Sequence, residues 1–337
     1  MSHSNSSLNC FASCMAKYEN RYIKRLEPKH ISPHLTFGTM AHEVMYKAGV
    51  QRDNLRDCVS NNDYETVIPS EVLHSDLKET FSIKNWRNYF LPVIKKAEEY
   101  EKSCINELLQ MDDGKVQVER ELKLQISVEQ LRQLGCYDIS QPFVAVIDLL
   151  MYTATHAIIL DYKFSTKQKT QDNFDMDSQL PLYAYMIHLL YDIPLHNIQY
   201  GYIDIPKTDF TMPVILSNGT VSRSKSQNVS QEWYKNVVDA IHEGDAYYNC
   251  EPGGYYYDCW CNLAHNKAAY LSKQWLDLEV VSNVTNELFN TAKLIDIMIE
   301  RKLPFVQKYD AYTCQNCEYV DYCKPYLSVN RSNYEKE

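Results

Sequence analysis

The chain has 337 residues, 45% of them hydrophobic, with 27 tyrosines, only 9 glycines and a formal net charge of −10. That length and apolar content specify a packed globular core, in one large domain or two small ones. The acidic balance excludes a protein that coats nucleic acid through bulk positive charge, so any such contact has to come from local basic stretches.

No apolar run reaches membrane-spanning length, and the nearest, Leu180 to Leu195, is interrupted by His188 and Asp192 and reads as a buried helix. The opening MSHSNSSLNC carries no basic-then-apolar signal pattern. Eleven cysteines without such a signal point to a reducing, cytoplasmic setting, where clustered thiols bind metal more often than they form disulfides. No membrane partner is expected.

In chain order, Leu8, Phe11, Met15, Tyr18, Tyr22 and Leu26 recur at helical spacing and predict one amphipathic helix over 8–26, capped by Ser6 or Ser7. Its other side carries Lys17, Arg21, Lys24 and Arg25, either a solvated face or an edge for phosphates. Cys10 and Cys14 lie one turn apart on it. A second helix runs from a Thr36 cap to Gly49, with Phe37, Met40, Val44 and Met45 as its apolar stripe and His42 beside it. Residues 51–115 read as a helical insertion, its clearest part being Ile83 to Met111. Cys58 and Cys104 have no partner spacing there.

Val116 to Val128 alternates as a strand and contains Glu119 and Glu121, two apart and therefore on one face. The stretch FVAVIDLLMYTATHAIILDYK, residues 143–163, reads as two buried strands joined by a short turn. It places Asp148 inside one apolar run and Asp161, Tyr162 and Lys163 at the end of the other. A buried carboxylate is costly without compensation, and two brought together ask for a cation. Lys163, two residues past Asp161, shares its face. Carboxylates that hold a divalent ion, with a lysine beside them, are the minimum kit for phosphodiester hydrolysis.

Lys167 and Lys169 form a basic loop beyond this stretch. A helix follows from about Asp177, with Gln179 and Tyr183 on one face. Ile198 to Ile205 reads as a further strand, and 230–248 and 283–301 as helices. Cys250, Cys259, Cys261 and His265 lie between those helices and are read as reduced structural residues rather than a zinc site, since C-x-C spacing is unusual for zinc. Near the end, Cys314, Cys317 and Cys323 give a C-x2-C pair and a third thiol, one ligand short of a tetrahedral site.

Asp148 followed thirteen residues later by Asp161-Tyr162-Lys163 resembles the core of PD-(D/E)XK nucleases in their RecB-like form. Gly38-x-x-x-His42 is similar to that family's histidine motif, and Gln179-x-x-x-Tyr183 to the motif that follows its catalytic lysine. SSLNCFASCMAKY, with the terminal cysteines, resembles the iron–sulfur staple of AddB-type nucleases and of CRISPR adaptation nucleases. Ile147 stands where the superfamily pattern has proline.

The resemblance implies an α/β fold: a central mixed sheet of the restriction-endonuclease-like core flanked by helices, as one nuclease domain over 1–337. A helical insertion at 51–115 and an N-/C-terminal metal-cluster staple would complete it. It implies Mg2+ or Mn2+ held by His42, Asp148, Asp161 and the main-chain carbonyl of Tyr162, with Lys163 acting on the nucleophile or the transition-state charge. Gln179 and Tyr183 would position the site, Glu119 or Glu121 would be accessory, and Lys17, Arg21, Lys167 and Lys169 are candidate DNA contacts. It also implies a [4Fe-4S] cluster on Cys14, Cys314, Cys317 and Cys323, with Cys10 competing for the first position and zinc as the alternative metal. The expected activity is a DNA exonuclease acting on ends or single strands, beside a helicase, recombinase or integrase partner. Two other classes stay open: an inactive nucleic-acid-binding or assembly subunit of the same fold, and a zinc-stabilised structural protein.

Overall fold

A computed structural model of the chain describes residues 1–28, 33–54, 83, 86–112, 114–165, 170–308, 314–315 and 317–323. Cys58, Lys167 and Lys169 lie outside them. A five-stranded mixed sheet runs β1 (Gln117–Ile126), β2 (Phe143–Tyr152), β3 (Ala157–Ser165), β4 (Ile198–Pro206) and β5 (Tyr270–Trp275), in that spatial order. Only β3 and β4 are parallel; the other neighbours are antiparallel. The parallel pair requires a crossover, supplied by a helix over Gln179–Tyr191.

Helices cover both faces, which is why β2 and β3 are nearly continuous apolar runs rather than alternating ones. One layer holds α1 (Asn5–Ser13), α4 (Gln179–Tyr191) and α6 (Leu278–Glu300), packed on Ala145, Ile147, Ile159 and Tyr200 of the sheet. The other holds α2 (Pro33–Asn54) and α3 (Trp86–Met111), packed on Leu149, Leu160, Tyr162 and Ile203. A smaller third core lies in the excursion between β4 and β5, where Val221, Tyr234, Cys250, Tyr256 and Cys259 pack around α5 (Gln231–Ile241). Cys261 is exposed beside it.

Several boundaries differ from the sequence expectation. The helix predicted over 8–26 starts at Asn5, because Ser4 and Ser7 form a reciprocal capping box. It breaks at Cys14, whose backbone is extended at φ −163°. α2 already includes Thr36 and runs past Gly49 to Asn54. Of the expected insertion over 51–115, the described residues include the end of α2 and α3, which tolerates Pro92 in its second turn, while 55–82, 84–85 and 113 lie outside the described residues. β5 was not anticipated, since YLSKQW is a half-buried edge strand with little apolar periodicity. At the N-terminus His3 pairs with Phe143, and its Nε2 meets Asp296 Oδ1 on α6 at 3.0 Å. Among the described residues no helix is long and apolar enough to cross a membrane.

Candidate active site

β2 and β3 bond as a ladder only as far as Leu149 and Leu160. Past that rung Asp148 takes over from the main chain: its Oδ2 accepts the Tyr162 N–H at 2.8 Å. On the other side of β2, the register skips Glu121, which would lie opposite Asp148. Glu121 sits at φ +46°, a left-handed conformation that a non-glycine residue adopts at a cost. Period-2 counting therefore does not carry across it. Arg120 engages α2 and α3, whereas Leu122 packs in the opposite layer. The expectation that Glu119 and Glu121 share a face fails for that reason. Glu119 acts electrostatically on Tyr152 and Tyr191, at the far ends of β2 and α4.

The splayed strands gather the functional groups at one end of the sheet. His42 Nδ1, from α2, lies 3.3 Å from Asp148 Oδ2. Burial opposes charge on His42, but the Asp148 contact and the nearby Asp161 carboxylate together outweigh it and raise its pKa. Asp161 is 3% exposed, and burial together with the neighbouring Asp148 carboxylate pushes its pKa up to about 7. Lys163 Nζ stands 2.6 Å from Asp161 Oδ2, yet that buried oxygen accepts no well-aligned hydrogen bond. Burial works against a charged Lys163 as well; the Asp161 carboxylate prevails and raises its pKa.

From Lys163 the contacts continue into α4. Lys163 Nζ donates to Gln179 Oε1 at 2.9 Å, and Gln179 Nε2 donates to the Tyr183 hydroxyl at 2.7 Å. Asp177 accepts from the main-chain N–H groups of Gln179 and Leu180 through Oδ1, which caps the helix and fixes Gln179 at its first turn. Its Oδ2 accepts from Tyr202 on β4, whose ring lies 5.7 Å below the Lys163 ammonium. Asp177 and Tyr202 were not singled out in the sequence. An aspartate two residues before the first turn of an apolar helix was a usable signal, whereas Tyr202 joins the site only through the parallel register of β4 with β3.

A buried carboxylate oxygen whose partner is an ammonium out of hydrogen-bond alignment, a second carboxylate beside it and an imidazole form a donor set that fits a divalent cation. Among the described residues no three His, Cys, Asp or Glu side chains stand closed around one point, at this site or elsewhere.

The cysteines near the chain ends are placed as follows. The Cys317 N–H donates to the Cys314 carbonyl at 3.2 Å, as the C-x2-C turn requires. Burial first, then Cys317, Cys14 and Cys314, push the Cys323 thiol up to about 11. Cys14 also acts on Cys317. Cys10 faces the core beside Leu8 and Phe11. Cys14 is thus within electrostatic reach of Cys317 and Cys323, but among the described residues the four thiols do not close around one point. Lys17 and Arg21 both meet Glu318, at 3.6 and 3.3 Å, so the structure engages them in the joint between the chain ends.

A family model for the PD-(D/E)XK nuclease superfamily matches residues 2–324. Among solved structures, a suspected exonuclease from Eubacterium rectale is 7% identical, with a TM-score of 0.39 over 94% of this chain and 92% of that one. A second, known as SSO0001, is 10% identical, with a TM-score of 0.27 over 84% of each chain. Among curated proteins none matches.

Proposed function

The chain belongs to the PD-(D/E)XK nuclease superfamily, and we propose that it is a metal-dependent deoxyribonuclease, an AddB-type exonuclease that trims DNA ends or single strands. The observation that carries this reading is the convergence of Asp148, Asp161, Lys163 and His42 at the point where β2 and β3 part.

His42, Asp148, Asp161 and the Tyr162 main-chain carbonyl would hold Mg2+ or Mn2+. When bound, that ion would polarise the scissile phosphate and lower the pKa of an attacking water. Lys163 is held as an ammonium and has no lone pair with which to take a proton. Its role is to orient the water oxygen and to offset negative charge growing on the phosphate. Gln179 holds Lys163 in place by accepting one of its hydrogens. The same amide donates to Tyr183, which leaves the tyrosine hydrogen to donate to a phosphate oxygen. Burial raises the Tyr183 pKa, so that hydrogen stays in place at neutral pH. Cys14, Cys314, Cys317 and Cys323 would hold a [4Fe-4S] cluster. The acidic balance of the chain favours work on DNA delivered by a helicase, recombinase or integrase partner over independent capture.

The test is Lys163→Ala in a cleavage assay with Mg2+ and with Mn2+. Cleavage is expected to fall at least about a hundredfold, as for the loss of a transition-state donor, with folding and DNA binding retained. Near-normal cleavage in a folded variant overturns the mechanism.

A further inference from the structure

Behind β3, on the side away from Asp161, lies a cluster of charged side chains that the cleavage mechanism does not use. Glu101 on α3 is 2% exposed. Its carboxylate accepts from Arg52 at 2.5 Å and from Arg120 at 2.8 and 3.2 Å. Arg120 turns the rest of its guanidinium onto Asp53, at 2.7 and 3.2 Å. The Tyr162 hydroxyl donates to the same Glu101 at 3.3 Å. Four elements are thus tied at one point: α2 through Arg52 and Asp53, α3 through Glu101, β1 through Arg120 and β3 through Tyr162. The chain makes room for this knot. A Cβ at Gly49 of α2 would lie 2.6 Å from the Arg120 guanidinium.

Stability alone is a weak reason for such an arrangement, because burying charges costs about as much as their attraction returns. What the cluster touches is more telling. Tyr162 stands between Asp161 and Lys163, and its own N–H is the one that Asp148 accepts. Its β3 neighbours in that layer, Ile158, Leu160 and Phe164, end in carbon; Tyr162 alone among them reaches a charge. Arg120 immediately precedes Glu121, whose left-handed backbone lies opposite Asp148. Arg52 and Asp53 sit on the helix that carries His42. The knot therefore holds from behind the segments that present His42, Asp148 and Asp161.

We propose that Glu101 and Arg120, acting through the Tyr162 hydroxyl, are positioning residues. They fix the main chain of Tyr162 and, through its N–H, the Asp148 carboxylate, and so set the affinity of the site for a divalent cation. The cation part of this inference rests on the nuclease reading above; the fixing of Tyr162 does not.

The test uses the whole chain carrying Tyr162→Phe, which removes one oxygen from a buried ring, with Glu101→Gln as a second variant. Two quantities are read without DNA. Hydrogen exchange at the Tyr162 N–H in metal-free protein is expected to speed about tenfold, the equivalent of one hydrogen bond to a charged group. Exchange at Ile203, opposite on β4, stays unchanged. The Mn2+ dissociation constant by calorimetry is expected to rise about 10- to 100-fold, as for the loss of an outer-shell partner. A folded Tyr162→Phe chain with unchanged exchange and unchanged Mn2+ affinity overturns the proposal. Faster exchange in a chain whose unsubstituted form takes up no Mn2+ upholds the positioning and overturns the nuclease reading instead.

Discussion

Asp161 is a carboxylate in a place that does not welcome its charge. Burial and Asp148 raise its pKa, while Lys163 and His42 lower it without prevailing. Without a cation, the folded state binds a proton there more tightly than the unfolded chain does. Stability from this group is therefore greatest below the unfolded value near 4 and is lost as pH rises toward about 7. Asp161→Asn removes the conflict. The metal-free variant is expected to be more stable than the parent above pH 7, by on the order of 1–4 kcal/mol, with the gap closing as pH falls toward 4. Urea unfolding across that range measures it, and a variant less stable than the parent at pH 8 contradicts it. At this scale the sequence already held the aspartates, Lys163, His42, Gln179 and Tyr183 at readable spacings. It did not show Glu101, Arg120 or Tyr202, because their roles depend on which strand or helix lies beside them.

Elements were legible where apolar periodicity was strong and less so where a local device intervened. β2, β3, α4 and β4 fall close to their expected places because buried strands and helices leave long apolar runs. Periodicity predicts one helix over 8–26, but nothing in it marks the extended backbone at Cys14 that divides the segment. Alternation in β1 predicts a regular strand, but its parity breaks at Glu121. α2 shows how a glycine inside a helix can be a packing requirement. Alanine there would favour the helix by about 1 kcal/mol. Its methyl group would meet the Arg120 guanidinium, which is 5% exposed and tied to two carboxylates, so it has nowhere to move. Gly49→Ala is therefore expected to destabilise the protein by about 1–3 kcal/mol net of that gain, read as a lower urea midpoint at unchanged slope. A neutral or stabilising effect would show that Arg120 yields.

Across the whole molecule the two ends of the chain meet. His3 joins the sheet at Phe143 and bonds Asp296, while Glu318, next to Cys317, holds Lys17 and Arg21. Protein purified without oxygen is expected to be brown, with iron and labile sulfide in equal amounts, and Cys314→Ala to be colourless with a lower unfolding temperature. Zinc without iron would assign the thiols to the alternative metal and leave the aspartate site untouched. Cysteine spacing alone does not predict which residue completes such a site, because three thiols do not say where a fourth lies.

The excursion between β4 and β5 has another consequence. It leaves the sheet after Pro206 and returns at Tyr270, which pairs directly with Asp204, so its two ends are pinned by one antiparallel rung. Between them the segment packs a core of its own. It is thus an elaboration of the loop between two antiparallel strands, tied back at its base by the Lys207 N–H to the Ser165 carbonyl of β3 and by the Tyr100 hydroxyl of α3 to the Ala269 carbonyl. Such a cartridge can be shortened, exchanged or elaborated over generations without moving an atom of the aspartates and lysine on β2 and β3. The chemistry and whatever contacts the lobe makes are free to diverge at separate rates.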